Sequence, residues 1–206
     1  SRIQSHLLWL GTSPMDLGAV STFLYTMRER EMILDVFELV SVARMMTTYI
    51  RPGGVWRDVP AEFEPAVREF IRIFPARLAE YESMLTKNSL FLERTVGIGK
   101  INCEDCIRYS LTGPVLRATG MPYDLRKVRP YSGYEQYEFD IPTQTEGDVY
   151  ARYLVRIEEM RQSLRIVEQA LDRMPSGPVR SQNRKFVPPP RSELGVSMEA
   201  LIHHFK

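Results

Sequence analysis

Residues 147–173, GDVYARYLVRIEEMRQSLRIVEQALDR, place Tyr153, Ile157, Met160, Leu164, Val167 and Leu171 at alternating steps of four and three. That spacing is the apolar seam of a helix packed along its whole length, so a helix is expected from about Asp148 to Arg173. At 1.5 Å per residue it would span roughly 39 Å, enough to cross a domain and pack antiparallel to other helices. The fold class this predicts is mainly α: a helix bundle with one long heptad-patterned helix and a loop-rich segment containing short strands.

Working outward, residues 60–86 carry Val67, Phe70, Ile71, Phe74, Leu78, Tyr81 and Leu85 at helical spacing behind a charged face, and predict a scaffold helix. Residues 28–49 repeat the pattern with Met32, Val36, Leu39, Val40 and Ala43, and Arg51-Pro52-Gly53-Gly54-Val55 should end that helix. At the start, a helix over Ile3 to Leu10 is expected to stop at Gly11-Thr12-Ser13-Pro14, with a second helix opening near Asp16 and running through Val20 to Arg30. From Asn88 to Ile141 the period fades into Gly, Pro and Tyr, which suggests turns, short strands and a short helix around Glu104 to Ser110. Residues 176–195 form a Pro-rich arm, expected to be extended or mobile, before a last helix that starts at Ser197 and is cut off at Lys206. The 206 residues are read as one piece of a longer protein, because no start methionine precedes the first helix.

Charge excludes some classes of partner. Lys and Arg number 27 against 26 Asp and Glu, for a net charge of +1, so nothing points to nucleic acid or an anionic membrane surface. No apolar run approaches the roughly 20 residues of a spanning helix, so no direct membrane span is expected. The two cysteines, Cys103 and Cys106, argue against a disulfide-stapled fold and fit a reducing compartment. Their two-residue spacing is half of a metal motif, but no second pair exists and His6, His203 and His204 are not arranged as ligands, so no metal site is expected. Gly97-Ile98-Gly99 lacks the remainder of a dinucleotide loop, and neither a Walker loop nor a Gly-x-Ser-x-Gly elbow is present.

Two features invite a functional reading. Asp16 is the lone charge in the apolar stretch between Ile3 and Met27. It is either a helix cap or an acid whose protonation the surroundings tune. Arg117, Asp124, Arg126, Lys127 and Arg129 stand among Tyr123, Tyr131 and Tyr134 in an irregular segment, either a packed hydrogen-bonded loop or a solvated one.

The stretches SHLLWLGTSPMDLGAVSTFLYTMRERE, ARMMTTYIRPGGV, LRATGMPYDLRKVRPYSGYEQYEFDIP, GDVYARYLVRIEEMRQSL and SMEALIHHFK, in that order, resemble the family of the 49-kDa subunit of NADH:quinone oxidoreductase, respiratory complex I. This family is related to the large subunit of nickel–iron hydrogenases. The resemblance implies a peripheral subunit on the cytoplasmic side of the plasma membrane, or the matrix side in mitochondria. Its partners would be the cluster-bearing and other peripheral-arm subunits and the membrane-arm subunits at a quinone chamber. It implies a quinone substrate and a [4Fe–4S] cluster held by a partner, within a proton-translocating, NADH-oxidising enzyme.

Carried over motif by motif, Asp16 falls where the family has the acid that feeds protons to reduced quinone. Leu8, Thr12, Phe23 and Leu24 fall where the family lines the chamber, and Arg44, Met46 and Arg51 fall near the cluster. The His and Tyr that hold the quinone headgroup lie before Ser1 in the family pattern. Many members carry a His where this chain has Met46, so the cluster should lose one source of pH-dependent potential, which suits a low-potential quinone such as menaquinone. The rival readings are a non-catalytic helical scaffold for assembly and a membrane-bound hydrogenase-related subunit. This stretch by itself is expected to be inactive.

Overall fold

The computed structural model describes residues 1–205. Among them the helices are α1 (Arg2–Asp16), α2 (Val20–Ser41), α3 (Phe63–Leu85), α4 (Ser89–Thr95), α5 (Cys103–Arg108), α6 (Pro114–Arg117), α7 (Leu125–Val128), α8 (Val149–Asp172) and α9 (Met198–Phe205). The only strands among the described residues are β1 (Ile50–Arg51) and β2 (Gly54–Val55), an antiparallel pair with Ile50 opposite Val55. Contacts divide the chain into two compact units. The first comprises residues 1–33 and 67–174, the second residues 34–66 and 175–206. The mainly α class is as the sequence implies, but the short strands lie at 50–55 and not within 88–141.

The first unit is organised around α8. Its seam residues Tyr153, Ile157 and Met160 are sealed from solvent against Ile3, Leu7 and Leu10 of α1 and Phe70, Phe74, Leu78, Tyr81 and Leu85 of α3. A second stripe, Ala151, Val155, Glu159, Ser163 and Ile166, is also buried, so α8 is covered on two sides. Its start is fixed by Asp148, which accepts from the amide of Ala151 at 2.7 Å and, through its other oxygen, from the amide of Gly97 at 2.7 Å. One carboxylate thereby satisfies an orphan helix amide and anchors the turn after α4. Tyr153 donates to or accepts from Thr86 at 2.8 Å, which gives its buried hydroxyl a partner. Burial pushes that phenol up to about 12.

Helix α1 departs from expectation. It does not stop at Gly11 but continues through Pro14 to Asp16. Proline removes one helix hydrogen bond, at a cost of about 3 kcal/mol in a helix interior. The apolar stripe Ile3, Leu7, Leu10, Pro14 carries the helix on regardless, because each further turn buries more surface against the bundle. Gly11 is not a breaker here but a contact. A Cβ at that position would stand 2.5 Å from Thr26 Oγ1 and 3.2 Å from the Phe23 ring, so glycine is what lets α2 approach α1.

Helix α2 is one element where the sequence suggested two, and it ends at Ser41, short of Tyr49. The Ser41 hydroxyl donates to Phe37 O at 2.7 Å, and Val42 adopts a left-handed φ of 59°, which a helix cannot continue through. The segment 88–141 holds four short helices and a 3-10 turn at Tyr134–Gln136, and side-chain caps from Asn88, Asn102 and Asp124 start α4, α5 and α7. The Pro-rich arm belongs to the second unit, where it pairs with the β1–β2 hairpin through a bridge between Gly54 and Arg180. The expected cut-off of the last helix at Lys206 lies outside the described residues.

A charged cluster ties α1 to α8 and α6. Oε2 of Glu159 lies 2.6 Å from Nε2 of His6, and its Oε1 accepts from Nε of Arg117 at 2.7 Å. Arg117 also donates to Tyr123 O at 2.9 Å. Beside it, Arg156 lies over the Trp9 ring at 4.2 Å, and burial pulls its guanidinium down to about 10. A second pair seals the loop after α6. Arg126 grips Asp124 in a fork, Nε to Oδ1 at 3.1 Å and Nη2 to Oδ2 at 2.8 Å, and Arg2 of α1 adds a contact at 3.3 Å. The irregular 117–134 segment is thus packed at Arg117, Asp124 and Arg126, while Lys127, Arg129 and Tyr131 face water.

Truncating Phe74, which is fully buried and stacked on Phe70 at 4.8 Å, should cost about 3–5 kcal/mol in urea unfolding of the Phe74→Ala variant. Burial alone would raise the carboxyls of Glu159 and Asp124. For Glu159 the His6 and Arg117 contacts outweigh it, and for Asp124 the Arg126 bonds do, so both lie below their ordinary values of 4.5 and 3.8. A carboxyl depressed by folding contributes stability above its unfolded value and loses it as pH falls through the folded one. Urea midpoints should therefore drop steeply on acidification below about pH 4.5. Glu159→Gln should flatten that dependence and lower stability at neutral pH by about 3–5 kcal/mol.

Candidate functional site

The face of α1 opposite its buried stripe carries Leu8, Thr12 and Asp16, spaced four residues apart and therefore aligned along one side. Leu8 is 42% exposed, Thr12 half-buried and Asp16 exposed. The Thr12 hydroxyl donates to Leu8 O at 3.0 Å, so its proton is committed to its own helix while its oxygen can still accept. From α2, Phe23 is half-buried beside Gly11, and Leu24 is 69% exposed. Val20 adds to the same apolar exposure at 58%.

Asp16 is not the cap of α2. It is the last residue of α1, and α2 opens at Val20. A carboxylate at a helix C-terminus meets the negative end of the helix dipole, which disfavours it by about 0.3–1 kcal/mol. Among the described residues it has no hydrogen bond or ion pair to offset this. The tight reversal after it rests instead on backbone: Ala19 N donates to Pro14 O at 2.8 Å, and Gly18 takes a φ of 96° open to glycine. Arg94 reaches the same reversal and donates to Leu17 O. Asp16 is thus held at the end of a rigid helix with its carboxylate uncommitted.

Arg44, Met46 and Arg51 lie in the second unit, apart in sequence and division from the Asp16 group. Arg44 donates to Asp35 at 2.7 Å and to Glu38 at 3.0 Å, both on the last turns of α2. Arg51 donates to Thr48 O at 3.2 Å and stacks on the Trp56 ring at 5.4 Å. Met46 is 89% exposed, which is unusual for a residue of its hydropathy. Cys106 is fully buried on α5 and burial raises its thiol, while Cys103 is half-buried. Together they supply two thiolates where a [4Fe–4S] cluster takes four, so the donor set of these cysteines does not fit a cluster.

Sequence reasoning missed the His6–Glu159–Arg117 cluster, and it missed Glu29 of α2, which is 1% exposed and accepts from the Tyr81 hydroxyl of α3. The signal for Glu159 was present: it interrupts a second small-residue stripe at Ala151, Val155 and Ser163, four residues apart. His6 likewise sits on the apolar stripe of α1 between Ile3 and Leu10. Both could have been flagged as charges on a buried face.

The comparisons with known proteins agree with one another. The family model described as "Respiratory-chain NADH dehydrogenase, 49 Kd subunit" matches residues 16–206. An NADH-quinone oxidoreductase subunit of Chloroflexus aurantiacus is 58% identical over the whole chain, and its namesake in a Roseiflexus species is 59% identical. The corresponding NADH-quinone oxidoreductase subunit of Acidothermus cellulolyticus is 49% identical over the same extent. The chain covers 51%, 50% and 50% of these proteins, so it spans about half the length of the curated relatives it matches. With identity at this level along its entire length, the chain belongs to the family of the 49-kDa subunit of respiratory-chain NADH dehydrogenase.

Proposed function

We propose that the chain is part of the quinone-reducing module of an NADH:quinone oxidoreductase, with the outer face of α1 and the start of α2 as a wall of the quinone chamber. The observation that carries this reading is the uncommitted Asp16 at the end of an exposed apolar stripe. Nothing in the fold uses that carboxylate, and its position costs stability, which is what a residue retained for chemistry looks like. Leu8, Phe23 and Leu24 offer an apolar surface to a quinone ring or isoprenoid tail, and Thr12 offers one polar group.

Reduction of a quinone to a quinol consumes two electrons and two protons. Electrons would come from a [4Fe–4S] cluster held by a neighbouring subunit. The chain's own task is proton delivery and shape: Asp16 Oδ holds a proton, passes it toward the quinone oxygen through a histidine outside this chain, and recovers another from solvent. The rigid run of α1 from Arg2 to Asp16, tied down by His6, fixes where that proton is presented.

Of the two cationic groups near the family's cluster position, Arg44 is already neutralised by Asp35 and Glu38. Arg51, stacked on Trp56, is the stronger candidate to favour the reduced, more negative form of a cluster. Met46 contributes no titratable group there, which suits a cluster potential insensitive to pH and a low-potential quinone such as menaquinone.

In the assembled enzyme, Asp16→Asn should lower quinone reduction by about 10²–10⁴-fold with normal subunit recovery, as for loss of a general acid. Lost assembly with it would instead favour the scaffold reading. Met46→His should introduce a pH-dependent cluster potential of up to about 59 mV per pH unit, one proton per electron, in a redox titration. A steep dependence already present in the unaltered enzyme would refute the role given to Met46.

A further inference from the structure

In the second unit the Pro-rich arm closes over the β1–β2 hairpin. Val55 N donates to Val179 O at 3.0 Å and Ser181 N to Gly53 O at 2.8 Å, so the arm adds to the hairpin's ladder. Gly53 and Gly54 both have positive φ, and a Cβ on either would collide with the arm, at Val187 and at Val179 O respectively. The Pro-Gly-Gly turn is therefore shaped to receive the arm.

The joint encloses a cleft of about 630 Å³ lined by Arg51, Arg180, Arg184 and Arg191 together with Gln182 and Glu193. Four guanidinium groups face it against one carboxylate. Arg184 is engaged by Glu193 at 2.9 Å. Arg180 and Arg191 have no acidic partner among the described residues, and Arg51 is held only by a carbonyl and a ring. Gathering like charges costs free energy that grows with their proximity, and among the described residues Glu193 offsets only one of the four. The missing component is an anion.

The wall narrows the kind of anion. Pro188, Pro189 and Pro190 line the cleft and offer no amide donors, so the nest of backbone N–H groups typical of a phosphate site is absent on that side. Recognition must come from guanidinium forks, which pair in a bidentate manner with carboxylates and phosphates alike, so the choice between them rests on what surrounds the cleft. Large apolar residues adjoin the lining residues in sequence and stand exposed: Ile50 at 85%, next to Arg51, and Phe186 at 64%, next to Val187. A dissolved anion has no use for them, whereas a protein segment buries them. We propose that this arginine-lined cleft receives an acidic, carboxylate-bearing segment of a neighbouring subunit. The inference rests on the chain working inside a multi-subunit enzyme and is independent of any role for Asp16.

The test uses the assembled enzyme. With the photo-crosslinker p-benzoylphenylalanine at Gln182, irradiation and mass spectrometry should place the adduct on an Asp- or Glu-containing segment of another subunit. Arg180→Glu combined with Arg191→Glu should lower recovery of that subunit with the complex at least tenfold, the Lys counterparts much less. Arginine in place of the mapped acid should restore the Glu variants. An adduct confined to this chain or to phospholipid overturns the proposal, as does undiminished recovery of the neighbour with both glutamates. Should the double variant fail to fold, the adduct at Gln182 decides alone. Quinone turnover is no readout in any arm, so failure of the quinone-site reading would leave the result unaffected.

Discussion

Glu159, with a side chain 1% exposed, is tolerable inside the bundle only because His6 of α1 and Arg117 of α6 meet its two oxygens. That single requirement fixes the rotation of α1 about its axis and its register along α8. Turning α1 by one residue would withdraw His6 and place an unpaired carboxylate in the core. The same constraint therefore determines which side of α1 is left outside, and Leu8, Thr12 and Asp16 are on that side.

A second constraint acts at the other end of the helix. Gly11 brings α2 against α1 closely enough that Thr26 and Phe23 occupy the space of an absent Cβ. Two features thus position the candidate site from opposite ends, an ion cluster near the start of α1 and a small-residue contact one turn before the reversal. Between them and the reversal, Pro14 is absorbed in the helix, since the burial gained by an uninterrupted apolar stripe exceeds the loss of one backbone hydrogen bond. The result is a carboxylate at a helix end with no partner among the described residues, on a support held at both ends.

The second unit follows a different logic. Its order comes from a two-strand hairpin and a proline-stiffened arm, and its surface keeps charge and apolar area that it does not use itself. Met46, Ile50, Phe186 and Val196 are each more than three-fifths exposed. Exposed apolar residues gathered on one unit are the kind of surface that a stable fold covers, and among the described residues nothing covers them.

The heptad steps of α8 and the amphipathic run of α3 were legible because burial on one stripe repeats locally, every three or four residues. The family too could be read from ordered motifs alone, and with it the candidate acid. Helix ends were not legible at Gly11, Pro14 and Ser41. There local punctuation competes with burial against elements far away in sequence, and the competition is settled only once those elements are in place. The partner of Glu159 lies 153 residues away in His6, a pairing that no local pattern encodes. Local periodicity was enough for α3, α8 and their apolar faces, and ordered motifs were enough for the family, while three of the four short helices of 88–141 were not foreseen. Only the tertiary structure decided that Asp16 ends one helix and does not cap the next, because which backbone groups remain unpaired at a helix end depends on what packs against it.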